Sequence, residues 1–344
     1  MSLKKIYLEL TNKCNLNCTI CYRRSWSETP QDMSEELFRK IKKELNEIKS
    51  VEQVVLGGIG EPTYAPLIGE ALKELGEYKL TLTTNGVYLN NAILDSIVKY
   101  VDLVMISIDG LHENYSSIRG TELAYVLENI KQINKLKERT KKPTPVIGIQ
   151  FVLSDDNAGD VFSLIDLAND SKVEIVAFSN LLPQTEENAR KILYKRYANL
   201  EVKQMFHKVV SYAFRKGIKL ILPHWELKTE CGFIEDNTTF VCASGEVVPC
   251  YRLSHTYKEF VFGREKTVIR HSFGNLQKKS LKEIWENKEY KNFRESVANN
   301  KYPSCIDCDL ADSCDLVKDT ISDCYAGTPS CADCLWSRKF VICP

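Results

Sequence analysis

Three cysteines near the start of the chain, Cys14, Cys18 and Cys21, are separated by three and two residues, and the next cysteine arrives only at position 231. A loop that short can turn three thiolates toward one inorganic centre, whereas an iron-sulfur cluster ordinarily takes four cysteine ligands. One iron is then left open for an exogenous ligand, which makes it a catalytic position. The competing reading is a zinc loop that borrows a distant ligand, although zinc sites are usually built from paired Cys or His at both ends.

The other cysteines crowd the far end: Cys231, Cys242, Cys250, Cys305, Cys308, Cys314, Cys324, Cys331, Cys334 and Cys343. Ten thiols suffice for two fully ligated four-iron clusters with two left over. A four-cysteine zinc ribbon from Cys305-x2-Cys308 and Cys331-x2-Cys334 is the structural alternative. Metal ligation is preferred over disulfides because the chain reads as cytoplasmic, where thiols stay reduced. Its N-terminal stretch shows no apolar h-region or cleavage site, and no apolar run approaches the roughly 20 residues of a membrane span. Its 46 basic and 46 acidic residues lack the surplus that nucleic acids or anionic membranes attract, so a small molecule or a protein is the expected partner. The histidines, His112, His207, His224, His255 and His271, are scattered, with core, surface and acid-base roles all open.

The cysteine-free body must position this chemistry, and it alternates short β-rich runs with longer helical patterns. Strands are predicted at Ile6–Leu10, Gln53–Leu56, Leu80–Thr84, Leu103–Ile108, Val146–Leu153 and Glu174–Phe178. Leu37, Ile41, Leu45 and Ile48 line one helix face, with Asp32 as its start signal, and Leu123, Val126, Leu127, Ile130 and Ile133 line another. Right-handed crossovers curl six such units into an α/β partial (β/α)6 TIM-like barrel whose chemistry sits at the carboxyl ends of the strands. Residues 1–184 are assigned to this barrel. Residues 185–230 form a bridge, with a long helical pattern over Thr185–Lys216 and an extra strand at Ile218–Leu222, and 231–344 a small domain held by metals more than by a core.

At the predicted strand ends lie Gly57-Gly58-Ile59-Gly60-Glu61-Pro62, Thr84-Asn85-Gly86, Ser107-Ile108-Asp109-Gly110, Arg119, Gln150 and Asn180. Singly, these read as turns, a solvated arginine and buried polar side chains. Together with the C-x3-C-x2-C loop on the first strand, they resemble the radical S-adenosylmethionine (SAM) superfamily. In that family SAM chelates the open iron, and its reductive cleavage gives methionine and a 5'-deoxyadenosyl radical that takes hydrogen from a substrate. The resemblance implies that the glycine-rich turn, here with Gly57, Gly58, Gly60 and Glu61, receives the SAM amino group. It likewise implies that Thr84, Asn85, Ser107 and Asp109 meet the ribose and methionine portions, that Arg119 pairs with the carboxylate, and that Gln150 and Asn180 complete the pocket. The residue that packs on adenine is commonly aromatic and precedes the third cysteine; here it is Ile20, with Tyr22 following.

The late cysteines are similar to the SPASM extension, which carries auxiliary clusters, through C-x13-G-x4-C ending at Cys250 and Cys305-x2-Cys308-x5-Cys314. The family's next cysteine position is occupied by Lys318, and Cys324 follows. The resemblance therefore implies two auxiliary four-iron, four-sulfur clusters, one on Cys231, Cys242, Cys250 and Cys324, the other on Cys305, Cys308, Cys314 and one late cysteine. The segment Ser330–Pro344, with Val248-Pro249-Cys250-Tyr251 and Phe273-Gly274-Asn275, looks like the maturases of tungsten-containing aldehyde oxidoreductases. That subgroup implies a protein, peptide or complex-cofactor substrate such as a tungsten oxidoreductase, and an electron donor of the ferredoxin or flavodoxin kind. The alternatives are a peptide-crosslinking SPASM enzyme and a non-catalytic iron-sulfur electron carrier.

Overall fold

The computed structural model describes residues 1–26, 28–226 and 228–342; Cys343 lies outside them. Seven strands follow one another as parallel neighbours: β1 (Lys5–Leu8), β2 (Gln53–Leu56), β3 (Lys79–Thr84), β4 (Leu103–Ser107), β5 (Val146–Leu153), β6 (Ile175–Asn180) and β7 (Lys219–Ile221). Apolar runs such as Val54-Val55-Leu56 and Val104-Met105-Ile106 are buried on both faces, as a parallel sheet covered by helices requires. Two boundaries matter for chemistry. β6 runs past its predicted end to include Ser179 and Asn180, and β4 stops at Ser107, leaving Asp109 in the turn beyond it.

The helix Glu35–Glu47 buries Leu37, Phe38, Ile41 and Leu45. Its cap is Ser34, whose hydroxyl accepts from Leu37 N at 3.2 Å, and not Asp32, which is drawn away by Thr11 and Lys13. Ile48 falls at the C-cap, half-buried, outside the helical face. In the helix Leu123–Thr140, Val126, Ile130 and Ile133 are buried, while Leu123 and Leu127 pack at the edge of the core.

The bridge is not one long helix. It is split into Glu186–Ala189 and Leu200–Arg215 because the Asn199 amide closes the intervening turn, accepting from Lys195 N and donating to Lys195 O and Trp225 O.

Beyond Cys231 the chain returns to the barrel. β8 (Thr238–Val241) pairs in parallel with β1, β9 (Glu246–Val248) pairs antiparallel with β8, and after the separate hairpin β10 (Tyr257–Val261) and β11 (Arg264–Val268), β12 (Gly274–Asn275) joins β9. The result is one ten-stranded sheet. The expectation of a weak C-terminal core is corrected as well: Leu281, Ile284, Trp285, Tyr290, Phe293 and Val297 join the same apolar core as the barrel. Weak periodicity concealed this core because its residues come from two short, consecutive helices, Leu281–Glu286 and Lys288–Ala298. Among the described residues, no helix is long and apolar enough to cross a membrane.

Replacing Ser34 by Ala removes the cap of the first long helix and is expected to cost about 1 kcal/mol. Urea denaturation of the variant and the wild-type chain under anaerobic conditions measures the loss.

Candidate active site

The loop after β1 is shaped before any ligand is considered. Thr11 Oγ1 accepts from Lys13 N at 3.0 Å and donates to Asp32 at 2.6 Å, and Asn12 Oδ1 accepts from Gln31 N at 2.6 Å. Cys14, Cys18 and Cys21 then face one cavity of about 230 Å³ at the carboxyl ends of the strands. Burial pushes the Cys14 thiol up and the Cys21 thiol up to about 11.

Every residue to which the resemblance gave a role in the SAM pocket lines this cavity: Ile20, Tyr22, Gly57, Gly58, Gly60, Glu61, Thr84, Asn85, Ser107, Asp109, Arg119, Gln150 and Asn180, with the three cysteines. Their tasks differ. At Gly60 a Cβ would fall inside the Thr11 carbonyl and 2.5 Å from that of Lys13, so this glycine exists to let the cysteine loop cross over the turn. At Gly58, with φ +147°, a Cβ would meet the Glu9 side chain at 2.7 Å.

Glu61 is similarly occupied by protein. Its carboxylate accepts from Thr63 N at 3.0 Å, Thr63 Oγ1 at 2.6 Å, Thr84 Oγ1 at 2.7 Å and Asn85 N at 2.6 Å. It is a buried knot joining the ends of β2 and β3, with burial pushing its pKa up against those bonds. Asn85 in turn donates to Asn15 at 2.8 Å and lies 3.8 Å from Cys14 Sγ, so its amide addresses the cysteine loop.

Asp109 is fully buried, accepts from Val152 N at 2.7 Å and forms an ion pair with Arg119. Burial pulls the guanidinium down, but the charge of Asp109, together with Cys18 and Tyr115, outweighs it and keeps Arg119 cationic. Arg119 Nη1 lies 3.8 Å from Cys18 Sγ, while its buried Nε has no hydrogen-bond partner among the described residues. The same holds for Gln150 Oε1 and for Asn180 Oδ1, whose Nδ2 donates to Phe340 O at 2.9 Å. Three buried polar atoms around the cavity thus lack protein partners.

The barrel pattern gave no sign of the remaining wall. Trp336, Val341 and Ile342 line the cavity, and Ile342 N donates to Ser179 Oγ at 3.1 Å. Tyr22 stacks with Trp336 at 6.1 Å and meets Tyr251 edge-on at 5.8 Å, which ties it to the C-terminal region. Ile20 is among the apolar side chains that line the cavity, with Leu16, Met105, Val152, Leu181 and Leu182. The signal available in the sequence was Trp336 itself, an aromatic two residues after Cys334.

The late cysteines are regrouped. Cys231, Cys250, Cys331 and Cys334 line one small enclosed pocket; burial, then the neighbouring cysteines, push the thiols of Cys231, Cys250 and Cys331 up, Cys231 to about 12. Cys324 is instead a neighbour of Cys305, whose thiol burial pushes up to about 11. Cys242 leaves the first set altogether: it sits beyond β8, facing Glu9 and His255. The expected quartet of Cys231, Cys242, Cys250 and Cys324 is therefore corrected, because the chain brings Cys331 and Cys334 back beneath Trp336. Buried charges surround this pocket, with Arg252 between Glu259 and Asp333 and Lys266 2.9 Å from Asp333.

A family model described as the radical SAM superfamily matches residues 8–168, and one described as an iron-sulfur cluster-binding domain, SPASM, matches residues 231–309. The tungsten-containing aldehyde ferredoxin oxidoreductase cofactor-modifying protein of Pyrococcus furiosus is 38% identical over 99% of this chain and 97% of its own length. The chain belongs to the radical SAM superfamily. Two solved structures share its fold: SuiB of Streptococcus suis bound to S-adenosylmethionine, with TM-score 0.64, 17% identity and coverage of 91% of this chain and 72% of that one, and anSMEcpe with bound AdoMet, with TM-score 0.61, 18% identity and coverage of 89% and 87%. This radical SAM enzyme accordingly takes a four-iron, four-sulfur cluster and SAM, and its SPASM region binds iron-sulfur clusters. The donor set fits: three convergent thiols beside a cavity with unpartnered buried polar atoms.

Two outcomes follow from this geometry. Gly60→Ala is expected to push the cysteine loop away, lowering iron bound after anaerobic reconstitution by the share of the first cluster while the C-terminal iron remains, as iron analysis beside a Cys14→Ala control shows. Asp109→Asn leaves Arg119 buried without a counter-charge and should cost about 3–5 kcal/mol in chemical denaturation, against little change for Asp155→Asn on the surface.

Proposed function

We propose that Cys14, Cys18 and Cys21 hold the SAM-binding cluster and that the enzyme modifies a tungsten oxidoreductase or its cofactor. The observation that carries the first part is the trio of unpartnered atoms, Arg119 Nε, Gln150 Oε1 and Asn180 Oδ1, around the cavity those cysteines share. Reductive cleavage of SAM is the chemistry the cluster supplies when bound. Arg119, held cationic by Asp109, binds the SAM carboxylate; Gln150 and Asn180 accept from its hydroxyl or amino groups; Ile20 offers the adenine an apolar face. Glu61, Thr84 and Asn85 act one step back, fixing the glycine turn and the cysteine loop to each other, while Ser107 and Tyr22 bound the cavity. Trp336, Val341 and Ile342 exclude water from that side.

In this reading residues 1–184 form the barrel, 185–230 the bridge and 231–344 the SPASM unit. Cys231, Cys250, Cys331 and Cys334 hold an inner auxiliary cluster and Cys305, Cys308, Cys314 and Cys324 an outer one. The exposure of Cys308 and Cys324 suits exchange of electrons with a ferredoxin or flavodoxin in the cytoplasm. The tungsten assignment is supported by the likeness to the Pyrococcus protein, which extends over nearly all of both chains.

Anaerobically reconstituted enzyme, reduced in the presence of SAM, is expected to release 5'-deoxyadenosine and methionine. Cys18→Ala should release none, and Gln150→Ala or Asn180→Ala should weaken SAM binding about tenfold, equivalent to about 1.4 kcal/mol. Undiminished product from Cys18→Ala would defeat the cluster assignment. For the substrate, a mass change in a tungsten aldehyde oxidoreductase or its extracted cofactor is expected after incubation with enzyme and SAM; change in a precursor peptide alone would transfer the enzyme to the peptide-crosslinking class.

A further inference from the structure

The residue that drops out of the cysteine clusters has a set of neighbours of its own. The register that pairs Leu8 with Val241 sets Glu9, just past β1, beside Cys242, just past β8, and the turn after Cys250 brings His255 across both. One carboxylate oxygen, one thiol and one imidazole nitrogen lie within 4.8 Å of one another, and the three residues are 0%, 2% and 2% exposed. The end of the first strand and a stretch of the C-terminal region more than 200 residues later have contributed three different metal-binding donors to one buried point.

The surroundings orient these donors. His255 Nδ1 lies 2.8 Å from Glu28, whose other oxygen accepts from Thr256 N at 2.9 Å, with Arg270 at 3.6 Å. Glu9 accepts from Ile59 N at 3.0 Å and Ala243 N at 3.2 Å, and the Trp26 ring stands edge-on to the imidazole at 4.6 Å. A carboxylate on one imidazole nitrogen is the usual outer support of a metal-ligating histidine, since it takes that N–H and leaves the lone pair of the other nitrogen facing inward. Nε2 then lies 3.2 Å from Glu9 Oε1, close enough for the two to share a proton or a metal ion. A shared proton serves only Glu9 and His255, while the buried Cys242 thiol donates to Ser254 O at 3.5 Å. A tetrahedral ion serves all three, because ligand bonds of about 2.0–2.3 Å place ligand atoms about 3.3–3.7 Å apart.

We propose that Glu9, Cys242 and His255 form a mononuclear site for a zinc-class divalent cation that clasps the start of the barrel to the SPASM unit. Thiolate, carboxylate and neutral imidazole suit a borderline ion such as zinc. Binding forms the metal–sulfur, metal–nitrogen and metal–oxygen bonds, and releases the thiol proton and any proton on Nε2 to solvent, with no change of oxidation state. Because Glu9 also holds Ile59 of the glycine turn, the ion stiffens the floor of the SAM cavity without touching SAM.

The test uses the full chain, produced with zinc in the medium and reconstituted anaerobically with iron and sulfide. Elemental analysis is expected to find about one zinc per chain beside the cluster iron, and zinc-edge X-ray absorption one sulfur at about 2.3 Å with nitrogen and oxygen at about 2.0–2.2 Å. Cys242→Ser and His255→Gln should lose the zinc and keep the iron. Wild-type protein with no more zinc than Cys242→Ser or His255→Gln, a shell of several sulfurs, or iron lost together with zinc from Cys242→Ser would each overturn the proposal. If either variant fails to fold, the absorption spectrum of the wild-type protein decides alone.

Discussion

The structure turns on one contact between backbones: the cysteine loop after β1 lies across Gly60, with Glu61 N donating to Lys13 O at 2.8 Å. No side chain fits between them. Once the loop is seated there, the three thiols, the glycine turn and the ends of β2 and β3 have fixed relations, because Glu61 fastens the turn to Thr84 and Asn85. A site that must hold a cluster and a nucleoside in register gains from such rigidity, since a displacement of about 1 Å in a positioned group can cost about a hundredfold in rate.

Much of this was legible in the chain. Parallel strands buried on both faces read as continuous apolar runs, and the polar or glycine residues that interrupt each run fall at its carboxyl end, so the cavity lining could be named strand by strand. What a lining residue does there was less legible. Glu61 and Asn85 carry groups that could meet a ligand, yet protein donors and the cysteine loop already claim them, and only the fold reveals neighbours so distant in sequence. The cysteine pairing was hidden for the same reason. Cys242 and Cys250 are near in sequence but diverge around the β8–β9 hairpin, whereas Cys231 and Cys334 converge from opposite ends of the C-terminal region.

Charge is handled in a consistent way in both halves. Arg119 by Asp109, and Arg252 by Glu259 and Asp333, are buried cations held beside cysteine sites by buried carboxylates. A buried cation next to sulfur stabilises negative charge there, but it persists only if its own desolvation is offset by a fixed counter-ion. Each guanidinium keeps one buried nitrogen without a hydrogen-bond partner among the described residues, Nε in Arg119 and Nη1 in Arg252.

Trp336 is a wall shared by the SAM cavity and by the pocket of Cys231, Cys250, Cys331 and Cys334. During synthesis, all seven parallel barrel strands leave the ribosome before residues 336–342 exist. A nascent chain can therefore complete its sheet from β1 to β7, and present its first three cysteines, while the cavity still lacks one side. The cavity is closed on that side only once the segment that follows Cys331 and Cys334 has folded over it, so a chain truncated before Trp336 would leave the cavity open to solvent there.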